Sequence, residues 1–135
     1  MKTFNEKLIA EFRTNDGKVG GMFEGAPLAI LTMTGAKSGQ PREIPIVMDH
    51  DGDRIVVIAS KGGAPANPDW YHNLAANPEV TVELGTETYR GRATEETGAE
   101  RDRLYAQVAA KMPNFAEYQR NTDRVIPVFT IERAG

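Results

Sequence analysis

Residues 44–59 read IPIVMDHDGDRIVVIA, two apolar, β-branched runs separated by Asp51-Gly52. Valine and isoleucine suit the half-buried pleat of a strand, and an Asp-Gly pair tolerates the left-handed backbone that a tight hairpin needs. The spacing predicts strands over Ile44–His50 and Arg54–Ala59, paired antiparallel. Upstream, the LAILTMT run Leu28–Thr34 reads as another strand. Downstream, Val80–Leu84 and Glu87–Ala93 flank Gly85-Thr86, a second two-residue loop, and Val125–Glu132 reads as a closing strand. Helices are predicted around these strands. Phe4, Leu8, Ile9 and Phe12 recur at helical spacing and stop before Asn15, Asp16 and Gly17, where the glycine-rich stretch Gly17–Gly25 begins. Asn67 is placed to cap a helix with Pro68 at its first position and Asp69 at the positive end of its dipole; Asn77-Pro78 ends it. Thr97 and Glu100 have capping-box spacing ahead of a helix with Leu104, Val108 and Met112 on one face, and Pro113 interrupts it. A short turn or helix through Phe115 and Tyr118 follows. Six strands with mostly hairpin connections predict a mainly β, α+β domain on an antiparallel sheet, and closing that sheet into a barrel removes its exposed edges.

The length of 135 residues suits one domain spanning 1–135. With 40% hydrophobic and 26% charged residues the chain is too apolar to be disordered. It has no cysteine, so thiolate nucleophiles, disulfides and Cys-ligated metals are excluded, and any redox chemistry must belong to a bound cofactor. A net charge of -3 and only 7% aromatics argue against a nucleic-acid partner, which needs a basic groove and stacking platforms. The opening MKTFNEKLIAEF has two acids and no long apolar run, so neither a signal peptide nor a membrane span is expected, and the cytoplasm is the predicted location. His50 and His72 lack a carboxylate at a metal-ligand offset, and Ser38 and Ser60 lie outside a G-x-S-x-G elbow, so neither a metal site nor a catalytic triad is expected.

Two loops carry candidate chemistry. In Thr32–Arg42, TMTGAKSGQPR, Gly35 and Gly39 let backbone amides turn toward an anion while Lys37, Ser38 and Arg42 add charge and donors. The Walker A spacing is absent, and the same residues are consistent with a solvated hairpin turn. In Ile58–Trp70, IASKGGAPANPDW, a strand ends in Ser60, Lys61 and paired glycines, and no acid occurs from Arg54 through Pro68. The helix after it aims its amino end at the same region, which favours phosphate or carboxylate, although Asn67-Pro68 also suits a purely structural helix start.

Together the segments LTMTGAKSGQPREIP (31–45), VIASKGGAPANPDWYHNL (57–74) and NTDRVIP (121–127) resemble the deazaflavin-dependent nitroreductase family, small split-barrel oxidoreductases that use coenzyme F420. The resemblance runs from about Asn15 to Glu132 and implies a split β-barrel of the flavin-reductase, FMN-binding type. It also implies that Ala36, Lys37 and Ser38, then Arg42, Glu43, Ile44, Pro45, Ile46 and Val47, contact the coenzyme. Ile58, Ala59, Ser60 and Lys61 follow, and Asp69, Trp70, Tyr71, His72 and Asn73 complete that set. The phosphodiester and glutamate tail of the coenzyme give Lys37, Arg42 and Lys61 an electrostatic task, while the strand residues offer backbone groups to the ring. The deazaflavin carbon favours two-electron hydride transfer to an enone, quinone or nitroaromatic, with Ser60 as hydrogen-bond donor and Tyr118 or water as proton source.

Val47, Met112, Phe115 and Tyr118 are the implied substrate contacts. Members of the family carry tyrosines at the positions of Val47, Met112 and Phe115, so a more apolar pocket with fewer hydroxyl donors is implied here. The short polar amino terminus implies no firm membrane attachment. Split barrels often pair, and an apolar helix face suits a homodimer. An FMN-dependent split barrel and a non-catalytic carrier of a deazaflavin or lipid-like ligand remain the alternatives.

Overall fold

The computed structural model describes residues 3–20 and 27–134; the rest of the glycine-rich stretch, 21–25, lies outside the described residues. The elements in chain order are α1 (Phe4–Thr14), β1 (Leu28–Thr34), β2 (Pro41–Asp51), β3 (Arg54–Ile58), a 3₁₀ turn (Lys61–Gly63) and α2 (Asp69–Ala76). They continue with β4 (Glu79–Leu84), β5 (Glu87–Glu96), α3 (Gly98–Lys111), α4 (Asn114–Arg120) and β6 (Val128–Arg133). The six strands close into an antiparallel barrel in the order β1-β2-β3-β6-β5-β4, as the hairpin pattern leads one to expect.

Alternation along the strands divides the core in two directions. Ala29, Leu31 and Met33 of β1 join Met48, Val57, Val82 and Phe129 inside the barrel. Leu28 and Ile30 of the same strand face outward onto Leu8, Ile9 and Phe12 of α1. That double burial explains why β1 reads as nearly continuous apolar sequence. On the far side Val56, Ile58 and Val128 pack outward against Leu104, Tyr105 and Val108 of α3 and Phe115 of α4.

Several boundaries differ from the sequence expectations for identifiable reasons. Asp51 pairs with Arg54, so the first hairpin loop is Gly52-Asp53, one residue late, with the left-handed backbone (φ 64°) on Gly52. The second loop is Gly85-Thr86 as expected. Pro68, not Asn67, is the N-cap of α2, and the Asn67 side chain accepts from Arg124 instead. Thr97 is the N-cap of α3 but makes no side-chain cap, and the other half of the box is lost because the Glu100 carboxylate turns to Arg103 and Arg54. The capping box instead occurs at α1, between Thr3 and Glu6. Finally, β6 begins at Val128 and not Val125: the Ile126 N–H donates to Gln119, the Ile126 carbonyl accepts from Arg101, and Pro127 has no N–H to pair.

Asp49 ties α3 to β2. It is buried and accepts hydrogen bonds from Gln107 (3.2 Å), Lys111 (3.0 Å) and the His50 N–H (2.8 Å). Burial pushes its pKa up, but the hydrogen bonds from Gln107, Lys111 and His50 outweigh that and hold it below the usual carboxylate range. A carboxyl depressed in the folded state adds stability above its unfolded pKa and loses it as pH falls through the folded value. Asp49→Asn is therefore expected to flatten the acid limb of the stability curve. The parent should lose about 1 kcal/mol more than the variant below about pH 4 in urea titrations, a small figure because the Lys111 partner is solvated.

One seam of the barrel is open. β2 pairs with β1 from Val47 to Pro41, yet its ladder with β3 ends at Met48–Val57. Residues 41–47 thus have a strand on one edge only. The Met48 N–H donates to Pro27 on the β1 side, so alternation turns the backbone of Glu43 and Pro45 toward the open edge. A proline is tolerated there because the N–H it lacks would have had no strand partner.

Candidate functional site

The upper part of the open seam meets a groove of about 630 Å³, lined by the β1–β2 loop, the first residues of β2 and α2. The loop holds itself in shape. Gly35 N–H donates to Gln40 O (2.8 Å), Gly39 N–H to Gly35 O (3.0 Å) and Gln40 N–H to Ser38 Oγ (3.2 Å). A Cβ on Gly35 would lie 2.6 Å from Ser38 Oγ and 3.3 Å from the Gln40 carbonyl oxygen, so a side chain there would push the Ser38 hydroxyl aside. Asn73 of α2 anchors the loop from the side, accepting from the Ala36 N–H at 2.9 Å. The amides of Lys37 and Ser38 are left without a partner among the described residues.

The groove lining sets two cations, Lys37 and Arg42, against two carboxylates, Glu43 and Asp69, and these differ in how far they are already engaged. Lys37 and Arg42 line it and neither enters an ion pair among the described residues; Arg42 touches only Ser38 Oγ, at 3.3 Å. Glu43 also lines it, but it is engaged by Arg13 of α1 at 2.5 Å, a cation it shares with Glu83. Those hydrogen bonds to Glu83 and Glu43 raise the Arg13 pKa. Asp69, at the start of α2, is the one carboxylate in the lining without a cation on it, and it suits a hydroxyl-bearing ligand segment better than a phosphate. Trp70 and Ile44 supply apolar wall, both backed by the barrel core.

A larger cavity of about 820 Å³ lies at the opposite end, between the β2–β3 and β4–β5 hairpins. Its cations are already satisfied. Arg54 binds Asp51 and Glu100, Arg133 binds Glu87 and stacks on Tyr89, and Asp53 and Glu132 add further negative charge. An anionic ligand gains nothing there, whereas the smaller groove offers cations and amides with no competing partner.

The second loop meets the same seam from the β3 side. Ile58 and Ala59 are buried, and Ala59 spends its N–H on Pro127 and its carbonyl on Arg124, so neither presents a side chain to a ligand. Ser60 is 9% exposed, and its hydroxyl makes no hydrogen bond among the described residues. No buried side-chain oxygen or nitrogen there lacks a partner, so that hydroxyl opens to solvent. Lys61 is exposed in a left-handed conformation, φ 48°, which costs a non-glycine residue free energy and is usually held by its surroundings.

α4 closes this side. A Cβ on Gly63 (φ 83°) would stand 2.8 Å from the Tyr118 carbonyl oxygen, which shows how tightly the 61–63 turn sits on the helix. Val47, Met112 and Tyr118 pack on the cluster that contains Phe115, so the four substrate candidates converge. Phe115 itself is buried, edge-on to the Tyr118 ring at 5.5 Å, and its carbonyl accepts from the Tyr105 hydroxyl. The Tyr118 oxygen accepts from Asn114 at 3.0 Å, which leaves its own proton available to donate. Tyr71, by contrast, donates its hydroxyl to Glu95 and lies against Phe129, outside the groove lining.

Sequence reading did not single out Arg124, whose guanidinium reaches Ala59, Ser60, Ala64 and Asn67. Its place in the NTDRVIP segment was the only signal. The anchoring task of Asn73 and the pairing of Arg13 with Glu43 and Glu83 were equally invisible, because both depend on partners far away in sequence. Among the described residues no helix is long and apolar enough to cross a membrane.

The chain is similar to proteins with known activity. A family model described as F420H(2)-dependent quinone reductase matches residues 6–133. The F420H(2)-dependent quinone reductase Rv1261c of Mycobacterium tuberculosis is 38% identical over 128 residues, covering 92% of this chain and 86% of the relative. A solved F420-H2 dependent reductase, FDR-A, is 41% identical with a TM-score of 0.73, covering 78% of this chain and 94% of that one. A second solved structure, described as a domain-swapped dimer, is 39% identical with a TM-score of 0.75, covering 93% of this chain and 92% of that one. The likeness extends across both loops, the seam between them and the strands that support them, and the chain belongs to the F420H(2)-dependent quinone reductase family.

Proposed function

We propose that this chain binds reduced coenzyme F420 along the open seam and catalyses two-electron reduction of a small electron-poor acceptor, a quinone before an enone or a nitroaromatic. The observation that supports it most is the set of unspent donors at the groove: the Lys37 and Ser38 amides, with Lys37 and Arg42 lacking ion-pair partners. Donors of this kind fit the phosphodiester and carboxylates of the coenzyme tail. The open edge at Glu43 and Pro45 offers backbone groups to the planar ring, with Ile44 and Trp70 as apolar wall.

When bound, the reduced deazaflavin supplies a hydride from its ring carbon. The chain's own residues supply position and a proton. Ser60 donates its uncommitted hydroxyl at the seam. The Tyr118 hydroxyl, polarised by accepting from Asn114, donates toward an acceptor oxygen. A quinone takes up the hydride and one proton there, and hydroquinone leaves with both electrons. Val47, Met112 and Phe115 keep the acceptor side apolar and exclude water. A homodimer is consistent with the domain-swapped pair described for the related structure.

Mixing the protein with reduced F420 and following its reoxidation spectrally against quinones, enones and nitroaromatics tests this reading. Turnover is expected with quinones, along with F420 binding far tighter than FMN. Preferential binding of FMN, or binding without turnover across the whole panel, would contradict it.

A further inference from the structure

We infer that Arg124 is a positioning residue for the coenzyme site, holding the 59–67 loop so that Ser60 and Lys61 face the ligand, an inference that rests on the F420 reading above. The guanidinium has five N–H donors in a rigid fork, and all five are spent on this one loop. Nε donates to Ala64 O (3.1 Å). Nη1 donates to Ala59 O (3.0 Å) and Asn67 Oδ1 (2.6 Å). Nη2 donates to Ser60 O (2.7 Å) and Ala64 O (2.9 Å).

Every acceptor is a neutral oxygen, and no carboxylate pairs with Arg124 among the described residues. A half-buried cation with no counter-ion is poorly explained as a stability device, since a carboxylate partner would offset its desolvation better. Its geometry explains it as a template. Carbonyls of residues 59, 60 and 64 are drawn inward onto one plane, so the chain between them must loop out. Lys61 takes up the resulting left-handed turn at φ 48°, and the Ser60 carbonyl also receives the Gly63 N–H at 3.0 Å. The Ser60 hydroxyl, which makes no hydrogen bond among the described residues, and the exposed Lys61 ammonium are thereby left free for a ligand. The residual positive charge beneath the loop also favours an anion above it.

A lysine at 124 keeps the charge but cannot reproduce five forked bonds, so the Arg124→Lys variant separates charge from geometry. Calorimetric titration with F420 is run on the parent, Lys61→Ala, Arg124→Lys and the double variant, with Lys37→Ala in both backgrounds as a probe of the other loop. In the parent, Lys61→Ala should weaken binding about tenfold, as loss of one charge-assisted contact does. In the Arg124→Lys background the same change should cost less than about twofold, while Lys37→Ala costs the same factor in both. Arg124→Lys alone should lower coenzyme affinity and leave the KM for the quinone unchanged.

Equal losses from Lys61→Ala in both backgrounds, or an Arg124→Lys variant that binds F420 like the parent, would overturn the inference while leaving the F420 reading intact. A parent that binds no F420 would sink both. If circular dichroism shows that Arg124→Lys does not fold, Asn67→Ala removes a single acceptor of the fork. It is expected to reduce the Lys61 effect in the same direction, and an undiminished Lys61 effect there rejects the inference.

Discussion

Alanine at both Lys37 and Lys61 is expected to lower the affinity for coenzyme F420 by about a hundredfold, each charge-assisted contact contributing about tenfold and the two loops acting independently. The expectation follows from how the charges are arranged, since the chain as a whole is acidic. Most arginines around the barrel are tied to carboxylates, Arg13, Arg54, Arg103 and Arg133 among them, whereas Lys37 and Lys61 make no ion pair among the described residues. A cation without a partner loses no internal contact when it turns to a ligand. Both lysines are solvated, so the effect should shrink as salt is raised, and the parent should lose affinity with salt more steeply than the double variant. Unchanged affinity in the double variant would place the anionic tail elsewhere.

Gly63→Ala is expected to be the most damaging single-atom-scale change in the loop region, lowering stability by about 2–4 kcal/mol and the midpoint of thermal unfolding by roughly 10 °C. Two effects add. The backbone sits at φ 83°, where an L side chain is strained, and the new Cβ would lie 2.8 Å from the Tyr118 carbonyl oxygen and 3.2 Å from its Cα. Neither contact is with a flexible side-chain end, so the turn must lift away from α4. Gly85→Ala is the matched comparison. It has the same backbone demand, φ 61°, with nothing within 4 Å, and should cost only about 1 kcal/mol. Similar melting points for the two variants would show that the turn does not press on α4 as described. The lifted turn should also lose coenzyme affinity, because it carries Lys61.

The barrel was legible in the chain because its signals are local. The DG and GT turn signals sit between runs of the right length, although the first loop itself falls one residue later at Gly52-Asp53, and five of the strands lie where the runs lie. What was not legible came from competition for the same atoms. The capping-box spacing of Thr97 and Glu100 was real, but Arg103 and Arg54 took the carboxylate. Val125 and Ile126 look like strand, but Gln119 and Arg101 occupy the backbone groups a neighbour would need.

At the site, the glycine and lysine loops were visible as anion-binding composition, and the resemblance added the order in which they are used. The groove's electrostatics were not visible. Glu43 adjoins Arg42 in the sequence, yet in the fold it pairs with Arg13, thirty residues earlier, which it shares with Glu83, and leaves Arg42 without an ion pair among the described residues. Arg124 was hidden for a similar reason: its partners lie 57 to 65 residues upstream, and four of its five hydrogen bonds go to backbone oxygens that no sequence pattern marks.

A crystal structure of the protein with coenzyme F420 tests the central claim most directly. The phosphodiester is expected within hydrogen-bond distance of the Lys37 and Ser38 amides and the Arg42 guanidinium, with the ring along the open edge of β2 between residues 43 and 47. A tail found instead in the cavity at the opposite end, against Arg54 and Arg133, would contradict the account.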